Sequence, residues 1–328
     1  MSSAEQHPRR GIPGDPDTRI RAMLQTLGSV IRGKDEFLEL FLACFFAGGH
    51  VLIEDLPGLG KTTVAKTLAR LVADPDGSPI DFKRIQFTPD LLPYDITGVD
   101  VFDPDKKEFV FSRGPIFANV VLADEINRTT PKVQSALLEV MAEGQVTVGN
   151  TTHTLDDLFF VAATQNPLEI EGTYPLPVAQ LDRFMMRLAI GFPDAKSEFR
   201  ILKENPSARI MPDVTPVVTA DDVRELRSAA DLVFVADELI EATVRIAHAT
   251  REHDAVEFGA SPRAGLMLLA AARALALVRG RDYATDQDIV DTVVPVMAHR
   301  LRFKDPRISV AGLLRDAAVE AVDAPLRK

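Results

Sequence analysis

Residues 18–193 combine short apolar segments with longer amphipathic stretches. Helix-start and helix-stop signals predict helices over 35–47, 62–72 and 131–143. The short segments are typical of strands that are buried on both faces of a sheet, and they lie at 50–54, 83–87, 119–123, 158–163 and 187–190. Strands that alternate with helices predict an α/β fold with a mostly parallel sheet sandwiched by helices.

Two hairpins are predicted as additions to this plan. Residues 99–102 and 108–111 flank a turn-forming segment rich in aspartate and lysine, and 145–148 and 151–155 flank Gly149 and Asn150. Neither pair carries a helix between its strands, so each is expected to be an antiparallel insertion in the sheet core.

Beyond residue 194 the pattern changes to helical segments throughout. They are expected over 195–204, 220–233, 237–252, 262–279, 286–302 and 311–322. The chain is therefore predicted to consist of a disordered tail over 1–17, an α/β nucleotide-binding core over 18–193 and an all-helical lid over 194–328.

Composition narrows the class of protein. The 328 residues are 46% hydrophobic and 26% charged, which is typical of a soluble globular protein. The net charge of −11 argues against extensive electrostatic binding of nucleic acid. The sequence has one cysteine, Cys44, so an internal disulfide is excluded, and Cys44 is predicted to be a small buried side chain. The tail lacks a signal core, and the apolar stretch 264–278 is too short to cross a bilayer, so a cytoplasmic protein without membrane insertion is expected.

A glycine-rich loop follows the first predicted strand and leads into a helix. Its backbone N–H groups can converge on phosphate oxygens at the positive end of that helix. Lys61 would pair with the β- and γ-phosphates, and Thr62 would bind Mg²⁺. The expected nucleotide-binding residues of the loop are Pro57, Gly58, Leu59, Gly60, Lys61, Thr62 and Thr63. Asp55 stands where the usual pattern of such loops has glycine.

Two adjacent carboxylates, Asp124 and Glu125, end another buried strand. Ligands of open α/β sheets bind at the carboxyl ends of the strands. Asp124 could hold Mg²⁺ through a water, and Glu125 could act as the general base on the attacking water. The amide of Asn166 follows a third strand and could orient that water, although Asn-Pro also favours a simple turn.

Several contiguous blocks resemble the MoxR family of AAA+ ATPases. The resemblance covers roughly residues 19–325 and rests on GHVLIEDLPGLGKT at 49–62, RIQFTPDLLP at 84–93, ADEINR at 123–128, TQNP at 164–167, EGTYPLP at 171–177, QLDRF at 180–184 and SPR at 261–263. The resemblance implies that aspartate at position 55 is usual in this family. The resemblance implies ATP and Mg²⁺ as cofactors and a β-hairpin insertion in the second core helix.

The resemblance also implies roles for three polar residues. Asn166 would be the first sensor residue. Arg263 would be the second, touching the γ-phosphate from the same subunit. Arg183 would be an arginine finger that reaches the site of a neighbouring subunit, with Arg187 as a competitor for that role. Hydrolysis would then depend on assembly into a ring, which family membership predicts to be a hexamer.

The resemblance implies a chaperone-like ATPase that remodels or activates a client protein together with a partner carrying a von Willebrand factor A domain. The motor subunit of a magnesium or cobalt chelatase is the main alternative. A nucleic-acid motor is disfavoured by the negative charge, and a nucleotide-gated scaffold with little turnover is disfavoured because Glu125, Asn166 and Arg183 occur together.

Overall fold

The computed structural model describes residues 16–168, 172–305 and 309–323. Most of the predicted N-terminal tail and Glu171, which belongs to one of the family-like blocks, lie outside these residues. The first helix begins at Pro16, one residue before the predicted end of the tail, so Pro16 and Asp17 are helical.

A five-stranded parallel sheet forms the centre of the molecule. Its strands are β1 (Val51–Glu54), β3 (Phe82–Gln86), β6 (Val120–Asp124), β9 (Phe160–Gln165) and β10 (Met186–Leu188). They are hydrogen-bonded in the order β10-β1-β9-β6-β3, and every pairing is parallel. The predicted strands are all present, and their ends differ from the expected positions by at most two residues.

Helices cover both faces of the sheet, as the buried strands require. They are α1 (Pro16–Val30), α2 (Asp35–Phe46), α3 (Lys61–Leu71), α4 (Pro93–Thr97), α5 (Pro131–Glu143) and α6 (Val178–Leu181). Alternation along β1 divides the core in two. Val51 and Ile53 join the cluster that includes α2 and α3, whereas Leu52 joins the cluster that includes α5.

Both predicted hairpins are present and pack against each other. Their strands are β4 (Gly98–Asp103), β5 (Glu108–Arg113), β7 (Gln145–Val148) and β8 (Thr151–Thr154). The ring of Phe111 stacks on that of His153, with centroids 4.0 Å apart. At the tip of the first hairpin, Phe102 and Phe109 contact each other and stay exposed.

The C-terminal part is helical, as expected, with a few short strands added. Its helices are α7 (Ala195–Glu204), α8 (Pro206–Arg209), α9 (Ala220–Leu232), α10 (Asp237–Glu252), α11 (Pro262–Val278), α12 (Asp286–Met297) and α13 (Val310–Asp323). The short pairs join β2 (Val72–Ala73) to β11 (Val218–Thr219), and β12 (Val256–Phe258) to β13 (Arg302–Phe303). Single 3-10 turns lie at Met211–Asp213 and Ala298–Arg300 in this part, and at Pro115–Phe117 and Ile126–Arg128 in the sheet core.

The helix predicted over 286–302 ends earlier, at Met297. A 3-10 turn follows and carries Arg300 inward, where its Nε donates to Asp182 at 2.7 Å and its Nη2 donates to the carbonyl of Phe184 at 2.6 Å. These buried bonds replace a further helical turn, so tertiary contacts override the local helical pattern.

The helical region and the sheet share one hydrophobic core. Residues of α2 and α3 belong to the same buried cluster as residues of α9, α11 and α12, and α11 packs on α2. The division into core and lid at residue 194 therefore stays a prediction. Within the described residues, no helix is both long enough and apolar enough to span a bilayer.

Candidate active site

The glycine loop connects β1 to α3 and adopts a backbone that requires glycine. Gly58 has φ +84° and Gly60 has φ +92°, a region that side chains with a Cβ rarely occupy. Space around Gly58 is open, because a Cβ built there would meet no atom within 4 Å. The loop thus presents its backbone at the N-terminus of α3, where amide groups and the helix dipole favour an anion.

The structure explains the aspartate that departs from the usual loop pattern. The Asp55 carboxylate accepts the Leu56 N–H at 2.8 Å and the Gly191 N–H at 2.6 Å. It therefore fastens the start of the loop to the segment after β10, a function that glycine could not perform. The Lys61 ammonium donates to the carbonyls of Asp55 at 2.5 Å and Leu56 at 3.0 Å, so it lies inside the loop.

The two predicted carboxylates lie at the end of β6, on the same edge of the sheet. Asp124 is buried, with 8% of its surface exposed, and Glu125 takes a left-handed backbone with φ +57°. Such a conformation is uncommon in residues other than glycine. The Glu125 N–H donates to the Thr164 hydroxyl at 2.9 Å, and that hydroxyl donates to Asp124 Oδ1 at 2.5 Å.

Arg84 and Gln86 of β3 also contact this pair of acids. Arg84 donates to Asp124 Oδ2 from Nε at 3.0 Å and from Nη2 at 2.6 Å. Gln86 donates to Glu125 Oε2 at 2.7 Å. Sequence reasoning assigned no role to Thr164, Arg84 or Gln86. The available signal was the pair of polar residues at alternate positions of β3, which places both on one face.

Asn166 comes directly after β9 and is buried, with 6% of its surface exposed. Its Oδ1 accepts the Leu168 N–H at 3.1 Å, which is the local turn expected of Asn-Pro. Gln165, its neighbour, is the register partner of Glu54. Asn166 therefore lies at the strand edge that also carries the glycine loop, while its role toward water stays a prediction.

Arg183 and Arg263 lie at the opposite edge of the sheet. Arg183 comes before β10 and donates to the Leu138 carbonyl at 3.1 Å. Arg263 pairs with Asp182 at 3.5 Å and is half exposed. Since the Met185 N–H donates to the His50 carbonyl, this end of β10 adjoins the start of β1, whereas the loop follows its end. Four strand residues separate the two edges, a rise of about 13 Å.

The expected contact of Arg263 with the γ-phosphate of its own subunit stays a prediction. In this structure the start of α11 lies beside Asp182, where Arg263 forms its ion pair, and α11 packs on α2. Arg183 lies near the same edge, and its expected role as an arginine finger for a neighbour also stays a prediction.

Arg187, the competitor for the finger role, is engaged within the chain. It lies in β10 and pairs with Glu54 at 3.1 Å, directly before the glycine loop. The pair links the ends of two adjacent strands, β1 and β10. Arg187 therefore contacts a residue next to the glycine loop of its own chain, whereas the contacts of Arg183 and Arg263 are with Leu138 and Asp182.

The residues present fit a nucleotide-bound magnesium ion. Among the residues that the structure describes, no group of three or more His, Cys, Asp or Glu side chains could hold a metal by itself. Mg²⁺ is commonly bound by one or two protein ligands, with phosphates and waters completing its octahedron. Thr62 at the start of α3 and Asp124 at the end of β6 would supply such a small set of oxygen ligands, and α3 packs on β6.

Comparison with known proteins gives the site its family. The ATPase family associated with various cellular activities (AAA) matches residues 50–186, and the AAA lid domain matches residues 248–320. The chain is similar to the chaperone MoxR1 of Mycobacterium tuberculosis, with 40% identity over 331 residues that cover 96% of this chain and 85% of that one. This chain belongs to the MoxR family of AAA+ ATPases.

Other relatives agree with this assignment. The MoxR-family chain is 43% identical to YeaC of Bacillus subtilis, a protein described as uncharacterised, over 93% of this chain and 94% of that one. A crystal structure of a candidate ATPase from Cytophaga hutchinsonii superposes with a TM-score of 0.84 at 36% identity, covering 94% of this chain and 95% of that one. The protein is thus an AAA+ ATPase that binds nucleotide.

Proposed function

We propose that this MoxR-family ATPase binds ATP with Mg²⁺ between Lys61 and Asp124, with Thr62 as the second protein ligand of the metal. The observation that carries this proposal is the meeting of the glycine loop, the two acids and Asn166 at the carboxyl ends of three adjacent strands. Bound Mg²⁺ would neutralise negative charge on the phosphates. Pro57, Leu59 and Thr63 complete the proposed binding loop.

Glu125 is the general base in this proposal. Its carboxylate is partly exposed, and Gln86 and Arg128 hold Oε2 at 2.7 Å and 3.2 Å. The backbone at Glu125 is left-handed, with φ +57°, and it separates the end of β6 from the 3-10 turn that carries Arg128. Asn166 orients the water that Glu125 deprotonates.

A second copy of the chain completes the site. Arg183 and Arg263 contact Leu138 and Asp182, away from the strand edge that carries the glycine loop, so in this proposal they stabilise negative charge in the site of an adjoining protomer. The loop and the arginines lie on different surfaces, and contacts between unlike surfaces close into rings when the rotation allows. The ring is a hexamer in this proposal, as the family resemblance implies.

An exposed apolar strip beside the loop supports this assembly. Phe192, Phe199 and Leu202 are 72%, 65% and 79% exposed, and together we call them the α7 strip. Their segment adjoins the glycine loop, since the N–H of Gly191, the residue before Phe192, donates to the Asp55 carboxylate at 2.6 Å. A neighbour that delivers Arg183 to the loop has to pass over this surface, and burial of large apolar side chains would stabilise that contact.

The work done with ATP is the remodelling or activation of a client protein, together with a partner that carries a von Willebrand factor A domain. The exposed aromatic pair Phe102 and Phe109 at the hairpin tip supports a contact with another protein. Hydrolysis would shift the helical region against the sheet and so move the hairpins.

Two variants test the site directly. Lys61→Ala should lose nucleotide affinity, whereas Glu125→Gln should keep it and lose turnover by about 10²- to 10⁴-fold, the usual contribution of a general base. Binding is measured by titration with a fluorescent ATP analogue, and turnover by phosphate release under conditions where the protein assembles. Unchanged nucleotide affinity in Lys61→Ala would refute the proposed site.

Phe109→Ser tests the proposed role of the hairpin tip, because it should impair client-dependent activity while basal ATP turnover persists.

A further inference from the structure

Asp124, the acid proposed to hold Mg²⁺, already accepts three hydrogen bonds from protein groups. Two come from the guanidinium of Arg84 to Oδ2, and one comes from the Thr164 hydroxyl to Oδ1. A carboxylate offers about four lone-pair positions, so little acceptor capacity is left on Asp124. The side chain of Asp124 is only 12% exposed, which restricts the approach of any further ligand.

The sheet determines why Arg84 is the residue that reaches Asp124. Strand β3 pairs with β6 along its whole length, with Arg84 opposite Leu122 and Gln86 opposite Asp124. Residues at alternate strand positions share a face, so Arg84 and Gln86 point to the same side. Arg84 Nη2 donates to Gln86 Oε1 at 2.8 Å, and this bond draws the guanidinium toward the edge where Asp124 lies.

This contact places a permanent positive charge at the ligand of a divalent cation. A guanidinium stays charged at any relevant pH, and it is strongly bound by a carboxylate that accepts two of its N–H groups. Mg²⁺ can bind Asp124 in only two ways: it displaces the Arg84 guanidinium from the carboxylate, or it binds beside that guanidinium and is repelled by its positive charge. Both effects raise the Mg²⁺ concentration that the site needs, because like charges a few ångströms apart repel.

We propose that Arg84 is a positioning residue that competes with Mg²⁺ for Asp124 and thereby sets the metal requirement of nucleotide binding. The proposal rests on the function proposed above, since it concerns the same metal position. In the absence of metal, Arg84 neutralises the buried carboxylate and holds its orientation. When metal binds, the guanidinium gives up hydrogen bonds to Oδ2, and half of its side chain is already exposed to water.

The test is a magnesium titration of nucleotide binding, which requires no turnover. A fluorescent ADP analogue is held at fixed concentration, and its bound fraction is followed as Mg²⁺ is added. In Arg84→Met, the half-saturating Mg²⁺ concentration should fall about fivefold, the factor for ~1 kcal/mol of removed repulsion. Lys83→Met is the matched control, because it removes the same charge from the next, exposed position of β3 and should leave the titration unchanged.

A second variant protects the test against a folding defect. Arg84→Lys keeps the charge but loses the paired N–H groups of the guanidinium, so its titration should lie between wild type and Arg84→Met. An unchanged or raised Mg²⁺ requirement in a folded Arg84→Met protein would overturn the proposal and give Arg84 a role in assisting the metal. If wild type bound the analogue at no Mg²⁺ concentration, the proposed function itself would fail, which is a different result.

Discussion

His50 connects the sheet to α5, and its ionisation should limit the stability of the fold in acid. Its Nδ1 accepts the Val161 N–H at 3.1 Å, and its Nε2 donates to the Met141 carbonyl at 3.2 Å. The ring therefore needs to be neutral, and only 8% of its surface is exposed. Burial lowers the pKa of His50 from 6.5 to about 4; the Met141 carbonyl opposes this shift and the charge of Arg227 adds to it.

The sign and size of the effect follow from this shift. Below the pKa of 6.5 the unfolded chain binds a proton that the folded protein excludes, so stability is fully present above that pH and is lost as pH falls toward the folded value of about 4. A shift of about 2.5 units corresponds to about 3 kcal/mol when the titration is complete, of which about 2 kcal/mol is lost by about pH 5.

The assay is urea unfolding of wild type and His50→Gln across this pH range. His50→Gln should be less stable at neutral pH by about 1–2 kcal/mol, because the two hydrogen bonds are imperfectly replaced. Its free energy of unfolding should decline less on acidification than that of wild type. Since burial also lowers the pKa of His299, part of the acid sensitivity should remain in the variant. An identical decline in both proteins would refute the reasoning.

Three further outcomes test separate features. Burial raises the pKa of the Cys44 thiol to about 12, so a disulfide reagent should modify Cys44 only after unfolding, and rapid modification of the native protein would contradict this. Asp55→Ala should cost about 1–3 kcal/mol in thermal or urea unfolding, because the Gly191 N–H loses its acceptor. Phe199→Asp should weaken nucleotide-dependent assembly in sedimentation, whereas Leu232→Asp, equally exposed on α9, should not; equal effects would remove the α7 strip from the interface.

Much of the fold was predictable because the signals are local. A buried strand, a glycine loop and a helix start lie within a few residues of one another, so 50–72 could be read in sequence order. The short pairs β2 with β11 and β12 with β13 could not, because two or three residues carry no periodicity. The early end of α12 depends on Arg300 meeting Asp182, which are 118 positions apart.

The candidate site divides in the same way. The glycine loop, Asp124 and Glu125 each follow or end a strand that the sequence marks, and the parallel sheet brings the ends of those strands to one edge; the joint action of Lys61 and the two acids on a nucleotide stays a prediction. The hydrogen bonds of Arg84 to Asp124 form because β3 pairs with β6, and no local sequence pattern indicates this order of strands. The position of Arg263 depends on how α11 packs against the sheet domain, which no local pattern shows, so the subunit whose site it serves stays a prediction.

Mixing of two inactive variants tests the shared site most directly. Arg183→Ala keeps an intact loop and base but lacks the arginine, and Glu125→Gln lacks the base but keeps the arginine. If Arg183 acts in the site of a neighbour, mixed assemblies should regain ATP turnover well above the sum of the separate variants, whereas a mixture of Arg183→Ala with the Arg183→Ala/Glu125→Gln double variant should not. Turnover equal to that sum in confirmed mixed assemblies would contradict the account.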